Sequence, residues 1–266
     1  MIYKFLKYIN KHLLFGLFSL IKNAMNSVLS IFFLKNYDFN YKHYYKKNKL
    51  VNNQLENLCD KYQCDKGFAD ISNRILHNNY MPHTYTDFYE NLFNHNKDSV
   101  KKIFEFGIGT NNPSIPSSMG EKFKPGASLR VWRDYFVNAT IFGADIDRDI
   151  LFEDNRIKTF YVDQLKLETF NKMWNEVNDD GFDIIIDDGL HTLVAGINTF
   201  EQSYKKLNEN GLYIIEDVDF CILKDLCNYF EKNNLQYEII SFSSNVMNLL
   251  RDSNLLILKK NKQWKI

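Results

Sequence analysis

Two acidic pairs stand where short apolar runs stop. Ile184, Ile185 and Ile186 form a continuous β-branched run that ends in Asp187-Asp188-Gly189, with His191 just beyond. Leu212-Tyr213-Ile214-Ile215 runs straight into Glu216-Asp217. Runs of this kind suit strands of a parallel sheet that is buried on both faces. In open α/β sheets, ligands sit at the carboxyl ends of strands. If the two strands are parallel neighbours, Asp188, Glu216 and Asp217 converge at one edge, where several carboxylate oxygens suit a hard divalent cation such as Mg²⁺. His191 adds a group able to take or give a proton. An acidic pair alone more often caps the following helix. Two acidic strand ends together with a histidine weigh against that plainer role.

The elements that must position these groups follow an alternating pattern. Lys102–Phe106 reads as the first strand of the core, followed by Gly107-Ile108-Gly109. Paired glycines after a strand let the backbone approach a ligand, but the third glycine of the dinucleotide fingerprint is replaced by Asn112. Thr110 to Ala127 contains three prolines and three serines and reads as an ordered loop over a pocket. Ser128–Phe136 is the next helix. Thr140–Ala144 is the second strand and ends in Asp145, which suits a ribose hydroxyl or a helix cap equally. Lys158–Val162 is the third strand and ends in Asp163-Gln164. Helices are predicted over 168–177, 194–207 and 222–233. Tyr237–Phe242 and Asn254–Lys259 have a short link between them and are expected to pair antiparallel. The expected fold is an α/β, Rossmann-like sheet, mostly parallel, of seven strands with an antiparallel C-terminal hairpin, preceded by an N-terminal helical segment.

The chain of 266 residues carries 33 basic and 33 acidic residues, so it lacks the basic excess of a general nucleic-acid binder. Its four cysteines, Cys59, Cys64, Cys221 and Cys227, lack the C-x2-C spacing of common zinc sites and read as reduced thiols of a cytoplasmic protein. Residues 12–35 are rich in Leu, Phe and Ile, with a polar stripe at helical period, which predicts an amphipathic helix. Three placements stay open for its apolar face: against the main domain, in a homo-oligomer, or peripherally on the inner membrane, with internal or oligomer packing preferred. Residues 36–50 read as a polar connection. Val51–Tyr62 reads as a helix, Gly67 as a turn, and Tyr85, Phe88, Tyr89, Leu92 and Phe93 as the apolar face of a helix capped by Thr84 or Thr86. The expected division is an N-terminal segment, 1–95, and a sheet domain, 96–266.

Taken together, these residues resemble the class I S-adenosylmethionine-dependent methyltransferases, and more narrowly the Mg²⁺-dependent sugar O-methyltransferases of the macrocin and mycinamicin type. The resemblance covers roughly residues 60–260. It rests on Asp65-Lys66-Gly67 with His83-Thr84-Tyr85, Glu105-Phe106-Gly107-Ile108-Gly109, Asp187-Asp188-Gly189-Leu190-His191, and Glu216-Asp217. Only their combination is specific. The long apolar N-terminal helix and the serine- and proline-rich loop depart from the pattern. The resemblance implies an S-adenosylmethionine site made by Gly107 and Gly109 at the methionine portion, Asp145 at the ribose, and Asp163 and Gln164 at the adenine. Further cofactor contacts would come from Glu105, Ser128 and Asp187, and Lys66 and Tyr85 would reach the methionine carboxylate or close the pocket. It also implies Mg²⁺ on Asp188, Glu216 and Asp217, with His191 as general base beside Asp188. An imidazole alone is too weak a base for an alcohol proton, so the cation would lower the acceptor's pKa.

The expected acceptor is a hydroxyl of a sugar or glycan precursor, in bacterial capsular polysaccharide or natural-product modification. A phosphate or phosphoramidate oxygen is the alternative within methyl transfer. Two rivals come from other classes. An NAD-dependent oxidoreductase would also use Asp145, but the missing glycine and the C-terminal hairpin count against it. A non-catalytic scaffold would have no need of Asp188, His191, Glu216 and Asp217.

Overall fold

The computed structural model describes residues 41–43, 53–67, 85–120, 123–242 and 254–260. The expected helix at 12–35, His83 and Thr84 lie outside these residues. Among the described residues the strands are β1 (Tyr41–His43), β2 (Lys102–Phe106), β3 (Thr140–Asp145), β4 (Glu153–Asp154), β5 (Ile157–Tyr161), β6 (Phe182–Asp187), β7 (Leu207–Ile215), β8 (Tyr237–Ser241) and β9 (Asn254–Lys259). The helices are α1 (Gln54–Tyr62), α2 (Thr86–Phe93), α3 (Ala127–Tyr135), α4 (Leu167–Val177), α5 (Leu193–Ser203) and α6 (Phe220–Lys232). The strands form one sheet in the order β1-β8-β9-β7-β6-β2-β3-β5-β4. Pairs β2–β3, β3–β5, β2–β6 and β6–β7 are parallel. Strand β9 lies antiparallel between β7 and β8, so the expected C-terminal pair is present with its second strand inserted inward.

Alternation along the strands builds the two cores and also sorts the acids. Ile103, Ile184, Ile186 and Ile214 face a cluster with Leu55, Phe88, Phe93, Leu129 and Trp132, so α1, α2 and α3 cover that face. Phe104, Phe106, Ile185 and Ile215 face Phe170, Trp174, Phe200 and Leu226 beneath α4, α5 and α6. Because side chains alternate with a period of two, Glu105 shares the face of Ile103. Asp188 continues the face of Ile184 and Ile186, and Glu216 that of Ile214. Asp187, in step with Ile185, points to the opposite layer. Ladder bonds run one residue past the strand ends, from Asp188 N to Phe106 O (2.9 Å) and from Glu216 N to Asp187 O (2.9 Å). Phe106 is level with Asp187, and Asp187 with Ile215, so the three acids on the first face gather in adjacent strands.

Several boundaries differ from expectation. Strand β7 begins at Leu207 rather than Leu212, with a register irregularity opposite Phe182 and Ile184. The connection expected at 36–50 contains β1, which pairs parallel with β8 at the sheet edge. Helix α2 has Tyr85 at its N-cap with no side-chain capping bond, since tyrosine has no short side-chain oxygen to reach the first-turn N–H groups; its hydroxyl donates to Asp217. Among the described residues no helix is long and apolar enough to cross a membrane.

Candidate active site

The sheet order reverses between β2 and β6, and a cavity of about 420 Å³ opens at their carboxyl ends, within the usual range for a small-molecule site. One end is the glycine turn. Gly107 (φ 80°) and Gly109 (φ 81°) both adopt left-handed backbone. A Cβ on Gly107 would stand 2.0 Å from the Asp188 carbonyl oxygen, so the β2 and β6 turns touch there. Asp145 holds this turn in shape: its Oδ2 accepts from Ile108 N (2.9 Å) and its Oδ1 from Asp147 N (2.9 Å). Burial raises the Asp145 carboxyl above its ordinary pKa, opposed by these backbone bonds. Asp145 therefore braces two turns while lining the cavity, and the cap of the following 3-10 turn is Asp147, which accepts from Asp149 N.

The opposite end is acidic. Asp188, His191 and Asp217 each offer a ligand atom, all within 4.8 Å of one another, the arrangement among the described residues that could hold a metal ion. His191 Nε2 lies 4.0 Å from Asp188 Oδ1. His191 and Asp217 both have φ 53°, a left-handed conformation uncommon for residues other than glycine. The expected ligand Glu216 is not in this group, because its oxygens are engaged. Its Oε2 meets Lys66 Nζ at 2.6 Å and its Oε1 accepts from the Tyr89 hydroxyl at 2.6 Å. His191 stands in its place beside the other two.

Lys66 is buried among carboxylates. Its Nζ reaches Asp188 Oδ2 (2.7 Å), Glu216 Oε2 (2.6 Å) and Glu105 Oε1 (3.1 Å). Burial pulls the ammonium's pKa down, but the three carboxylates outweigh it and hold Lys66 well above its ordinary value. Tyr85 donates to Asp217 Oδ1 (2.5 Å). One cation thus serves Glu105, Asp188, Glu216 and, through its neighbours, Asp217. Burial and this surplus of negative charge push Asp188 well above the carboxylate range despite Lys66. Glu216 is raised for the same reasons.

The cavity wall sorts the remaining expectations. Gly107, Gly109, Ser128, Asp145, Asp163, Gln164, Asp188, His191 and Asp217 line it. Lys66, Tyr85, Glu105, Asp187 and Glu216 do not line it; they lie behind its wall. Glu105 accepts from Ser128 Oγ (2.8 Å) and Trp132 Nε1 (3.2 Å), anchoring α3. Asp187 accepts from Gln164 Nε2 (2.7 Å), which also reaches Thr199, while Gln164 Oε1 accepts from Leu190 N (2.7 Å). The Gln164 side chain therefore braces the turn that carries His191. Burial raises Asp187 to about 6. Sequence reasoning overlooked Ile146 and Leu165, apolar residues 44% and 53% exposed that line the same cavity. Large apolar side chains left exposed directly after acidic strand ends were the available signal. It also overlooked the hydroxyl of Tyr89, which was assigned only to an apolar helix face.

No family model matches the sequence. Curated relatives are 28% identical over 152 residues (8-demethyl-8-alpha-L-rhamnosyl tetracenomycin-C 2'-O-methyltransferase, Streptomyces olivaceus), 29% over 138 (mycinamicin VI 2''-O-methyltransferase, Micromonospora griseorubida) and 31% over 139 (L-olivosyl-oleandolide 3-O-methyltransferase, Streptomyces antibioticus). These matches cover 57%, 51% and 51% of the chain, and the chain spans only 38%, 32% and 32% of the relatives. Among solved structures, the MycE methyltransferase of the mycinamycin pathway, in complex with Mg and SAH, superposes with a TM-score of 0.53. That match has 21% identity and covers 80% of this chain and 56% of that one. The fold is that of a class I S-adenosylmethionine-dependent methyltransferase. The glycine turn after β2 and Asp145 at the end of β3 line one end of the cavity. Asp188, Asp217 and His191 line the far end.

Proposed function

We propose that this chain is an S-adenosylmethionine-dependent, Mg²⁺-assisted O-methyltransferase acting on a hydroxyl of a sugar. The observation that carries the reading is that one cavity is lined both by the glycine turn with Asp145 and by Asp188, His191 and Asp217. Gly107, Gly109 and Asp145 would hold a sulfonium methyl donor at the first end, and Asp188, His191 and Asp217 would serve the acceptor at the second. The residues fit both groups. The cavity offers open glycine backbone, a buried carboxylate and the apolar side chains of Ile146 and Leu165 for a nucleoside. Among the described residues, Lys66 is shared by three carboxylates of the acidic centre, a density of carboxylate oxygen that favours an added divalent cation. Asp188 and Asp217 would hold that ion, with Glu216 available where Lys66 yields it.

When bound, Mg²⁺ would orient the acceptor hydroxyl and lower its pKa. His191 would receive the hydroxyl proton at its cavity-facing imidazole as the new C–O bond forms and the methyl C–S bond breaks, with the neutral thioether as leaving group. Gln164 and Asp187 keep the His191 turn in place. The stretch Ile115–Met119 lines one side of the cavity. The names of the relatives, all sugar O-methyltransferases of natural-product pathways, support a sugar acceptor. The crowd of carboxylates weighs against a phosphate acceptor. Natural-product and capsular sugars are the acceptor classes to screen.

Calorimetric titration of the chain with S-adenosylmethionine, with and without Mg²⁺ and with NAD⁺ as control, tests the reading. Micromolar binding of S-adenosylmethionine alone is expected, and Asp145→Ala should weaken it by about 10–100-fold through the lost carboxylate contact. Binding of NAD⁺ in preference to S-adenosylmethionine by folded protein would return the chain to the oxidoreductase class.

A further inference from the structure

Buried lysines are rare, and one whose ammonium touches two buried carboxylates and a half-buried third stands where another cation could otherwise neutralise them. Lys66 Nζ lies 2.6–3.1 Å from one oxygen each of Glu216, Asp188 and Glu105. Asp188 is divided: its Oδ2 is held by Lys66, while its Oδ1 faces His191. A divalent ion held by Asp188 and Asp217 would therefore share a carboxylate with the ammonium, and to engage Glu216 it would have to take the oxygen Lys66 now holds. Two cations on one carboxylate oppose each other. Lys66 itself does not line the cavity, although Cys64 and Asp65 do, so it is placed to act on the acids rather than on a cavity ligand.

We propose that Lys66 is a resident counter-cation of the acidic centre, competing with the divalent ion for Asp188 and Glu216 and so setting how tightly that ion is held. In the ion-free protein it keeps both carboxylates in place. With the ion present, it is the charge the ion must push against. Lys66 is in this sense a positioning residue, and the inference rests on the magnesium reading given above.

The test is calorimetric titration of the ion-stripped chain with MgCl₂, without cofactor, for wild type, Lys66→Met and Lys66→Arg, alongside thermal unfolding with and without the ion. Lys66→Met is expected to bind Mg²⁺ at least about tenfold more tightly than wild type, because a like charge has gone from the shared carboxylates. It should also melt lower than wild type without the ion and gain more from adding it. Lys66→Arg keeps the charge and should bind no more tightly than wild type. Unchanged or weaker Mg²⁺ binding by Lys66→Met overturns the proposal, as does weaker S-adenosylmethionine binding with Mg²⁺ affinity unchanged. If Lys66→Met does not fold without the ion, Lys66→Gln replaces it in the titration. Failure of both to fold even in saturating Mg²⁺ also overturns it, since the competing ion should restore the charge balance. If neither wild type nor any variant binds Mg²⁺, the magnesium reading itself falls, and the two failures are thereby told apart.

Discussion

His191→Asn is expected to lower the turnover of methyl transfer by about 10²–10⁴-fold while leaving cofactor affinity unchanged. The expectation follows from position. The imidazole lines the cavity beside Asp188, and the hydroxyl proton must leave as the C–O bond forms. Asparagine is the informative replacement because His191 sits at φ 53°, a left-handed conformation that asparagine tolerates better than alanine or any β-branched residue. Loss of activity in His191→Asn is thus read as loss of a proton acceptor, not as backbone strain. Steady-state methyl transfer paired with a binding titration checks it. Wild-type turnover at neutral pH would remove His191 from the mechanism. A matched loss of cofactor binding would instead assign His191 to the pocket wall.

Gly107→Ala is expected to damage both stability and cofactor binding. Its Cβ would lie 2.0 Å from the Asp188 carbonyl oxygen, 2.6 Å from the Asp188 carbonyl carbon and 2.7 Å from Gly189 Cα. All three are backbone atoms and cannot swing aside. Overpacking costs about 1–3 kcal/mol, and a left-handed alanine adds about 1–2 kcal/mol. Gly109→Ala is the control: it has nearly the same φ, but the nearest atom its Cβ would meet is Met119 Cγ at 3.5 Å. It should therefore show the backbone cost alone. Urea midpoints and S-adenosylmethionine titrations of the two variants should rank Gly107→Ala as clearly worse in both. Equal losses would mean that the contact between the two turns is unimportant.

How far the sequence could be read depended on distance along the chain. The acidic strand ends were readable because a three-residue isoleucine run fixes both the strand and the face on which the next residue lands. The same parity separates Asp188 from Asp187, a distinction the motif Asp-Asp-Gly does not display by itself. Asp145 was left between ribose ligand and helix cap; the structure gives the cap to Asp147 and uses Asp145 to hold the glycine turn beside the cavity. Lys66 was out of reach. Its partners Asp188 and Glu216 lie 122 and 150 residues away, and no local pattern states which charge a lysine will meet. Tyr85 and Tyr89 fitted an apolar helix face and do pack there, and only tertiary structure shows that their hydroxyls end on Asp217 and Glu216. The edge strand Tyr41–His43 has neither apolar alternation nor length to announce it.

Among the described residues, the Lys66 ammonium and the Tyr85 and Tyr89 hydroxyls, which answer Asp188, Glu216 and Asp217, lie close together in the sequence. By sequence the sheet domain begins near residue 96, after every one of them. A boundary drawn by topology and a boundary drawn by charge therefore disagree, and for anyone recombining this chain with a relative the second governs. Lys66, Tyr85 and Tyr89 and the carboxyl ends of β6 and β7 form a single unit of inheritance. A graft that exchanged one without the other would transplant the pocket without its counter-charges.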